Sequence, residues 1–407
     1  MASDTMRSNA GARSGRPLGN ALTRGDRSTI GRWFWTIDKM LLIIIFALVA
    51  AGIVAVAAAS PAAARRLSGT NLRFDDLFFL YRQLGWVALG LPLMLATSML
   101  DIKMLKRLAV VGTIGCLVAL ILVPFMGGGA NGAARWIQLP GFQFQPSEFF
   151  KPCFIVATAW LLSLKVEDRS LPTMQISLGL LGMAVICLIA QPDVGQSALI
   201  SVVWLTQAML AGLSLAIIGA LIGLGVVGLV AAYFTLDHFA ARIDKWVMGT
   251  GDTFQIDKAL DCFRAGGWLG TGPGEGRMKF RLPEAQTDYI FSVIGEEFGL
   301  IACFMLAGLF MGLVVRALLV AMDEEDPFIF LATAGLAAQF GFQAAINMMV
   351  NLALLPSKGM TLPFISHGGS SYLAICIGAG LLLALTRCNP FLKGQPWARP
   401  PGSLRAA

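Results

Sequence analysis

Asp288 stands where a long polar segment gives way to an apolar one, and a carboxylate in that place is the strongest pointer to chemistry in the chain. The segment it closes, residues 237–288, reads DHFAARIDKWVMGTGDTFQIDKALDCFRAGGWLGTGPGEGRMKFRLPEAQTD. Seven basic side chains in it could bind an anion, and its glycines could shape backbone around one. GTGPGEG, residues 270–276, lies between Arg264 on one side and Arg277, Lys279 and Arg281 on the other. Backbone amides and charge together could hold a phosphate there. The run is not a nucleotide loop, because it lacks the Lys-Ser/Thr pair and follows no strand. Asp252, Asp257 and Asp261 read as solvated loop charges. Chemistry at a membrane surface is the expectation.

Other ionisable groups sit at or inside apolar segments, where each is a functional candidate. Glu148 and Lys151 are three residues apart, on one helical face, with Pro146 and Ser147 ahead of them as a helix start and Ser147 as its cap. A structural ion pair is the plain alternative for the two. Asp193 follows Pro192 at the end of another apolar run. Glu296 and Glu297, two turns past Asp288, read as structural partners for arginine or for backbone donors. Gln339, Gln343, Asn347 and Asn351 recur every four residues as one polar stripe, about 18 Å long at 1.5 Å per residue. The stripe is either interhelical hydrogen-bonding glue or the wall of a polar cavity. The two histidines, His238 and His367, and the seven cysteines make no metal-ligand cluster and no disulfide framework.

Ten apolar stretches must position these groups. Of 407 residues, 56% are hydrophobic and 14% charged, the composition of an integral membrane protein. Stretches near the ~20 residues that a bilayer needs occur at 40–60, 79–100, 108–126, 149–164, 174–190, 197–213, 215–236, 298–315, 328–355 and 371–385. The fold class is an all-α polytopic membrane protein of about ten transmembrane helices, with a large extracytoplasmic loop between helices seven and eight. Residues 1–36 read as a disordered cytoplasmic tail, 37–388 as the transmembrane domain and 389–407 as a second cytoplasmic tail. Lysine and arginine placement puts both termini inside. This bias accounts for the net charge of +7 and leaves no need for nucleic acid. The segments after spans three, five, seven and nine then share the outer side, and they hold Arg135, Glu148, Lys151, Asp193, Asp288, Lys358 and Ser370.

Six motifs, NGAARWI, QPSEFFK, QPDVG, GGWLGTGPGEG, LPEAQTDYIFSVIGEEFG and LPSKGMTLPFISHGGSS, together resemble the SEDS family (shape, elongation, division and sporulation) over residues 40–387, in order and with ten spans. The LPSKGMTLPFIS stretch is nearer the division members of the family than the elongation members. Where the family usually has Tyr this chain has His367, and Gln286 stands where His is common. The resemblance implies a peptidoglycan glycosyltransferase that polymerises lipid II at the outer face of the cytoplasmic membrane, at the septum. It implies a class B penicillin-binding protein as partner, with other divisome membrane proteins around it. It also makes Asp288 the catalytic carboxylate.

The chemistry agrees with that expectation. A sugar hydroxyl is a weak nucleophile, and one positioned carboxylate acting as general base is the minimal equipment. A lipid pyrophosphate leaves without a proton, so no second carboxylic acid is needed, but positive charge must meet the charge that develops. Arg264, Arg277, Lys279, Arg281 and Lys358 are candidates, and a divalent cation, Mg or Mn, could share the task. Arg135, Glu148, Lys151, Asp193 and Ser370 form a second set, positioning substrate or holding structure. Two rivals remain. A transporter or flippase of the same lipid-linked precursor would need polar groups along both halves of its path, whereas these crowd one half. A non-catalytic divisome scaffold would tolerate loss of Asp288.

Overall fold

The computed structural model describes residues 29–68, 73–126, 135–139, 142–168, 170–235, 237–248, 254–356 and 359–387. The chain divides into two units, Met1–Ile37 with Arg387–Ala407, and Asp38–Thr386. In the first, helix α1 (Thr29–Thr36) occupies the end of what reads as a tail, and the Thr36 hydroxyl donates to the Trp33 carbonyl at 3.2 Å. Residues 1–28 of the first expected tail and all of the second, 389–407, lie outside the described residues.

The second unit carries the ten expected spans. They are α2 (Lys39–Leu67), α3 (Phe78–Ser98), α4 (Ile102–Met126), α5 (Pro146–Glu167), α6 (Thr173–Ala190), α7 (Val194–Leu210), α8 (Leu215–Thr235), then α11 (Ile290–Met322), α12 (Pro327–Asn351) and α13 (Gly369–Leu385). Eight are long and apolar enough to cross a membrane, and α7 and α13 are shorter apolar helices. A hairpin, β1 (Ile137–Leu139) with β2 (Phe142–Phe144), joins α4 to α5 in antiparallel register. Among the eight long spans the most enclosed are α5 (72% of its span window buried) and α12 (61%), against 6% for α8, so the polar residues of α5 and α12 face protein rather than lipid.

Local chemistry sets the helix starts. Asp38 accepts from the Leu41 amide at 2.9 Å, and Asp326 from the Phe328 amide at 2.8 Å, ahead of Pro327. For α5 the expectation shifts by two residues: Gln145 is the N-cap, Pro146 opens the helix, and Ser147 is already inside it.

The segment ahead of Asp288 is more structured than a loop. It contains α9 (Asp237–Met248), α10 (Phe254–Gly266) and a 3-10 turn, Met278–Arg281. Ala259, Cys262, Phe263 and Gly266 make the buried face of α10 at helical spacing. Ala259 and Cys262 join Leu282, Ala285, Tyr289 and Val293 against Ala58 and Ala59 of α2, giving this region its own apolar core. Burial drives the Cys262 thiol far above its ordinary range, so it is an inert packing residue.

The glycine-rich run docks on a break in α11. At Gly299 the helix turns non-helical, with φ 78° and ψ 177°. At this break the amides of Leu300 and Ile301 donate to the Gly267 and Trp268 carbonyls at 2.9 and 3.3 Å. In return the Thr271 and Gly272 amides donate to the Glu296 and Glu297 carbonyls at 2.9 and 3.1 Å. A Cβ on Gly299 would overlap the Trp268 carbonyl oxygen, and its φ is one that L side chains rarely adopt. Gly299→Ala therefore costs roughly 1–3 kcal/mol in conformation alone, read as a lower midpoint of thermal unfolding in detergent.

Candidate active site

A cavity of about 710 Å³ opens on the side of the bundle shared by the α4–α5, α8–α11 and α12–α13 connections. Its wall takes Arg82 from the start of α3, Arg135 from the edge of the hairpin, and Glu148 from the first turn of α5. Asp288, ahead of α11, and His367 and Ser370, at the start of α13, complete it. Segments far apart in sequence thus meet at one polar space.

Asp288 is held by its backbone and free at its carboxylate. Asn347 and Asn351 each donate to its carbonyl at 2.9 Å. No hydrogen bond to the carboxylate is made among the described residues, and backbone at Gly359 passes so close that a Cβ there would lie 3.2 Å from Oδ2. Burial pushes the Asp288 carboxyl up to about 7, the charges of Glu284 and Asp193 add to this, and Arg135 opposes them. A carboxylate titrating near neutral pH is suited to take a proton.

The polar stripe of α12 lies behind the wall. Gln343 donates to the Thr361 carbonyl at 3.0 Å and Asn347 to the Met360 carbonyl at 2.7 Å. Asn351 accepts from the Ser292 amide and hydroxyl at 3.1 and 2.8 Å. None of Gln339, Gln343, Asn347 and Asn351 lines the cavity. The hydrogen-bonding role holds for Gln343, Asn347 and Asn351, whose partners are mostly loop carbonyls rather than another helix, while the buried Gln339 Oε1 has no partner among the described residues. Replacing Asn347 and Asn351 together by alanine unpins Asp288. The expected result is a loss of about 10²-fold in turnover, for about 1–3 kcal/mol of stability per buried acceptor left unpaired, measured by activity and thermal unfolding on one preparation.

Glu148 and Lys151 form a buried ion pair at 2.9 Å. Gln196, in the first turn of α7, donates to Glu148 at 2.7 Å, and Lys151 donates to Gln343 at 3.1 Å. Asp193 caps α7 by accepting from the Gln196 amide at 3.3 Å. A polar chain therefore runs from Asp193 through α7, α5 and α12 to the 360–361 backbone, and only Glu148 of its charged members faces the cavity. Arg135 donates to the Gln191 carbonyl at 3.0 Å and to the Pro192 carbonyl, clamping the hairpin to the α6–α7 turn while it lines the cavity.

The expected cations divide. Arg264, Arg277 and Arg281 are exposed and do not line the cavity, and Arg264 pairs with Asp261. Lys279 is 1% exposed, paired with Glu297 and donating to the Ala58 carbonyl at 2.8 Å, so its charge is spent on holding the loop to α2 and α11. Glu296 accepts from the Met278 and Lys279 amides at 2.6 and 2.8 Å, and Glu297 from Gly274 at 3.2 Å. Both are structural, as their spacing suggests, and the amides of Thr271, Gly272 and Gly274 are occupied rather than open to a phosphate. Lys358 lies outside the described residues. Arg82 was hidden by its place inside an apolar stretch, although an arginine within a span is itself a signal. His367 sits in an apolar niche against Phe79, with Nδ1 3.1 Å from the Gln83 amide oxygen and its own amide donating to the Gln286 carbonyl. Burial and the Arg82 charge lower it to about 4, so it stays neutral. Ser370 and Thr361 keep buried hydroxyls on the cavity wall, without a partner among the described residues. No group of three or more metal-ligating side chains is gathered among the described residues.

These features define a class: a multi-pass membrane protein built round a polar cavity open on one face. Residues 38–389 match the family of cell cycle proteins FTSW_RODA_SPOVE, and the chain belongs to it, among the SEDS proteins. It is 43% identical over 373 residues to the probable peptidoglycan glycosyltransferase FtsW of Caulobacter vibrioides, covering 91% of this chain and 94% of that one. It is 38% identical to the protein of that name from Trichlorobacter lovleyi, over 86% and 93% of the two chains. In structure it is similar to a chain of a peptidoglycan synthase complex solved for the coordination of polymerization and crosslinking, with TM-score 0.70, 28% identity and coverage of 86% and 97%. The rod shape determining protein RodA of Thermus thermophilus superposes with TM-score 0.62 at 28% identity, over 86% and 96% of the chains.

Proposed function

We propose that the chain is a peptidoglycan glycosyltransferase that polymerises lipid II in this cavity, with Asp288 as general base. The observation that carries the reading is a carboxylate that accepts no hydrogen bond among the described residues, pushed up to about 7, in a cavity that also holds two guanidinium groups. Asp288 takes the proton of the acceptor's sugar hydroxyl as its oxygen attacks the donor's anomeric carbon. The bond from that carbon to the pyrophosphate breaks, and the lipid pyrophosphate leaves with the electron pair. Arg82 and Arg135 stabilise the charge it gains. Attack opposite the leaving group converts an α linkage to β without a covalent enzyme intermediate. Glu148, Ser370 and Thr361 are polar groups on the same wall that can orient sugar and acetamido groups.

The lipid tail accounts for a cavity at the rim of the bundle rather than in a soluble domain. The polar half is the outer half, with both termini cytoplasmic, and the site of action is the septum. A class B penicillin-binding protein would cross-link the product, as the coordination of polymerization and crosslinking in the similar complex suggests. Other divisome membrane proteins would surround the pair. A transporter is disfavoured because the polar wall belongs to one side of the bundle. Purified chain and its class B partner, with the transpeptidase blocked, should extend lipid II into muramidase-sensitive glycan. Movement of lipid II across vesicles without polymer would establish the transporter instead.

A further inference from the structure

We propose that the turn carrying Trp268 and Leu269 is a membrane-interface anchor, seated in the outermost lipid layer on the cavity side of the protein. Trp268 is 66% exposed and Leu269 81%, two large apolar side chains at the tip of a turn closed by the Gly270 amide on the Gly266 carbonyl at 2.8 Å. Gly267 and Gly270 have φ of +55° and +84°, so the backbone of the turn is one that only glycines adopt readily. The turn is built to present this pair.

Its level relative to the bilayer follows from α11. This helix has 33 residues, about 50 Å at 1.5 Å per residue, against roughly 30 Å of hydrocarbon. Every residue from Ile290 to Glu297 is buried in protein. The first exposed large apolar side chain on α11 is Ile301, followed by Phe304 and Met305 and then by others to Met322. Residues 300–322 measure about 34 Å, the length of one crossing. The lipid-facing surface of α11 therefore begins at the break, and the first turns of the helix stand above it.

The Trp268 turn docks at that level, through the bonds from Leu300 to Gly267 and from Ile301 to Trp268. Its exposed side chains continue the apolar surface of Ile301 and Phe304. The residues on either side in sequence, Arg264 and Arg277, are exposed and charged, which suits a segment whose flanks remain among headgroups and water. Tryptophan is the side chain that such a boundary favours, being apolar in body with a polar N–H. The occupant is lipid. The pair is a depth gauge for the extracytoplasmic region, because the same glycine-rich run is bonded to Glu296 and Glu297, two turns from Asp288.

The test uses the full chain in nanodiscs, with every tryptophan replaced by fluorotryptophan. The fluorine resonance that disappears in Trp268→Phe is that of Trp268. A lipid nitroxide placed near the headgroup should broaden this resonance more strongly than an aqueous gadolinium chelate does. Equal or stronger broadening by the chelate would place Trp268 in water and overturn the proposal. Broadening by neither would mean that protein covers it, and would overturn it too. Neither readout involves glycan synthesis, so the outcome is independent of the catalytic reading.

Discussion

Asp288→Asn is expected to lose polymerisation by about 10²–10⁴-fold, the range that a positioned general base supplies, while the protein folds and binds its partner as before. Asparagine keeps the size of the side chain, and the contacts that pin this position are to the backbone carbonyl, from Asn347 and Asn351. Geometry is preserved and only the capacity to take a proton is removed. Stability should change in the opposite sense. The folded carboxyl titrates near 7, above its unfolded value. What it contributes to folding is therefore complete below the unfolded value of 3.8 and is lost progressively as pH rises from there to about 7. Above that point the wild type carries an ionised, buried carboxylate that the variant lacks. At pH 8 the variant should unfold at a higher temperature than the wild type, and the difference should shrink as pH falls below 7, vanishing only below the unfolded value of 3.8. An active variant would remove Asp288 as the base, and Asp193 or Glu148 would take its place as candidate.

Lys151→Met is expected to be the most damaging change to the fold, at about 3–5 kcal/mol. Lys151 is 1% exposed and Glu148 3%, paired at 2.9 Å one turn apart on α5 and bonded onward to Gln343 of α12 and Gln196 of α7. Removing the ammonium leaves a buried carboxylate whose remaining support is one amide bond from Gln196. It also releases Gln343, and with it the 360–361 backbone beside Asp288. The double variant Glu148→Gln with Lys151→Met carries no orphaned charge and should recover most of the thermal stability. Activity should not return with it, since Glu148 faces the cavity. Equal stability of the single and double variants would mean that the pair is not what holds these helices together.

Much of this arrangement was legible because a bilayer limits what a chain can do. Ten apolar stretches allow few folds, and their number alone puts Arg135, Glu148, Asp193 and Asp288 on one side. The four-residue period of Gln343, Asn347 and Asn351 likewise marked one face, although their partners, the carbonyls of Asp288, Met360 and Thr361, come from segments with no period to read. The region before Asp288 was harder. The helices α9 and α10 are short and heavily charged, and the apolar face of α10 becomes visible only once α2 is known to offer Ala58 and Ala59 to it. Charge placement misled for a related reason. Lys279 reads as a cation for the leaving pyrophosphate, but its partner Glu297 is brought to it by the docking of the glycine-rich run at Gly299, a contact that no local pattern announces. Arg82 was concealed in the opposite way, by apolar neighbours that made it look like part of a span.

The most direct measurement is the pH dependence of lipid II polymerisation by wild type and by Asp288→Asn, each with the blocked class B partner. A base that titrates near 7 makes the wild-type rate fall as pH drops through that value and level off above it. The residual rate of the variant should be flat across the same range. The same inflection in both proteins would show that the titrating base lies elsewhere, and would contradict the role of Asp288 as general base.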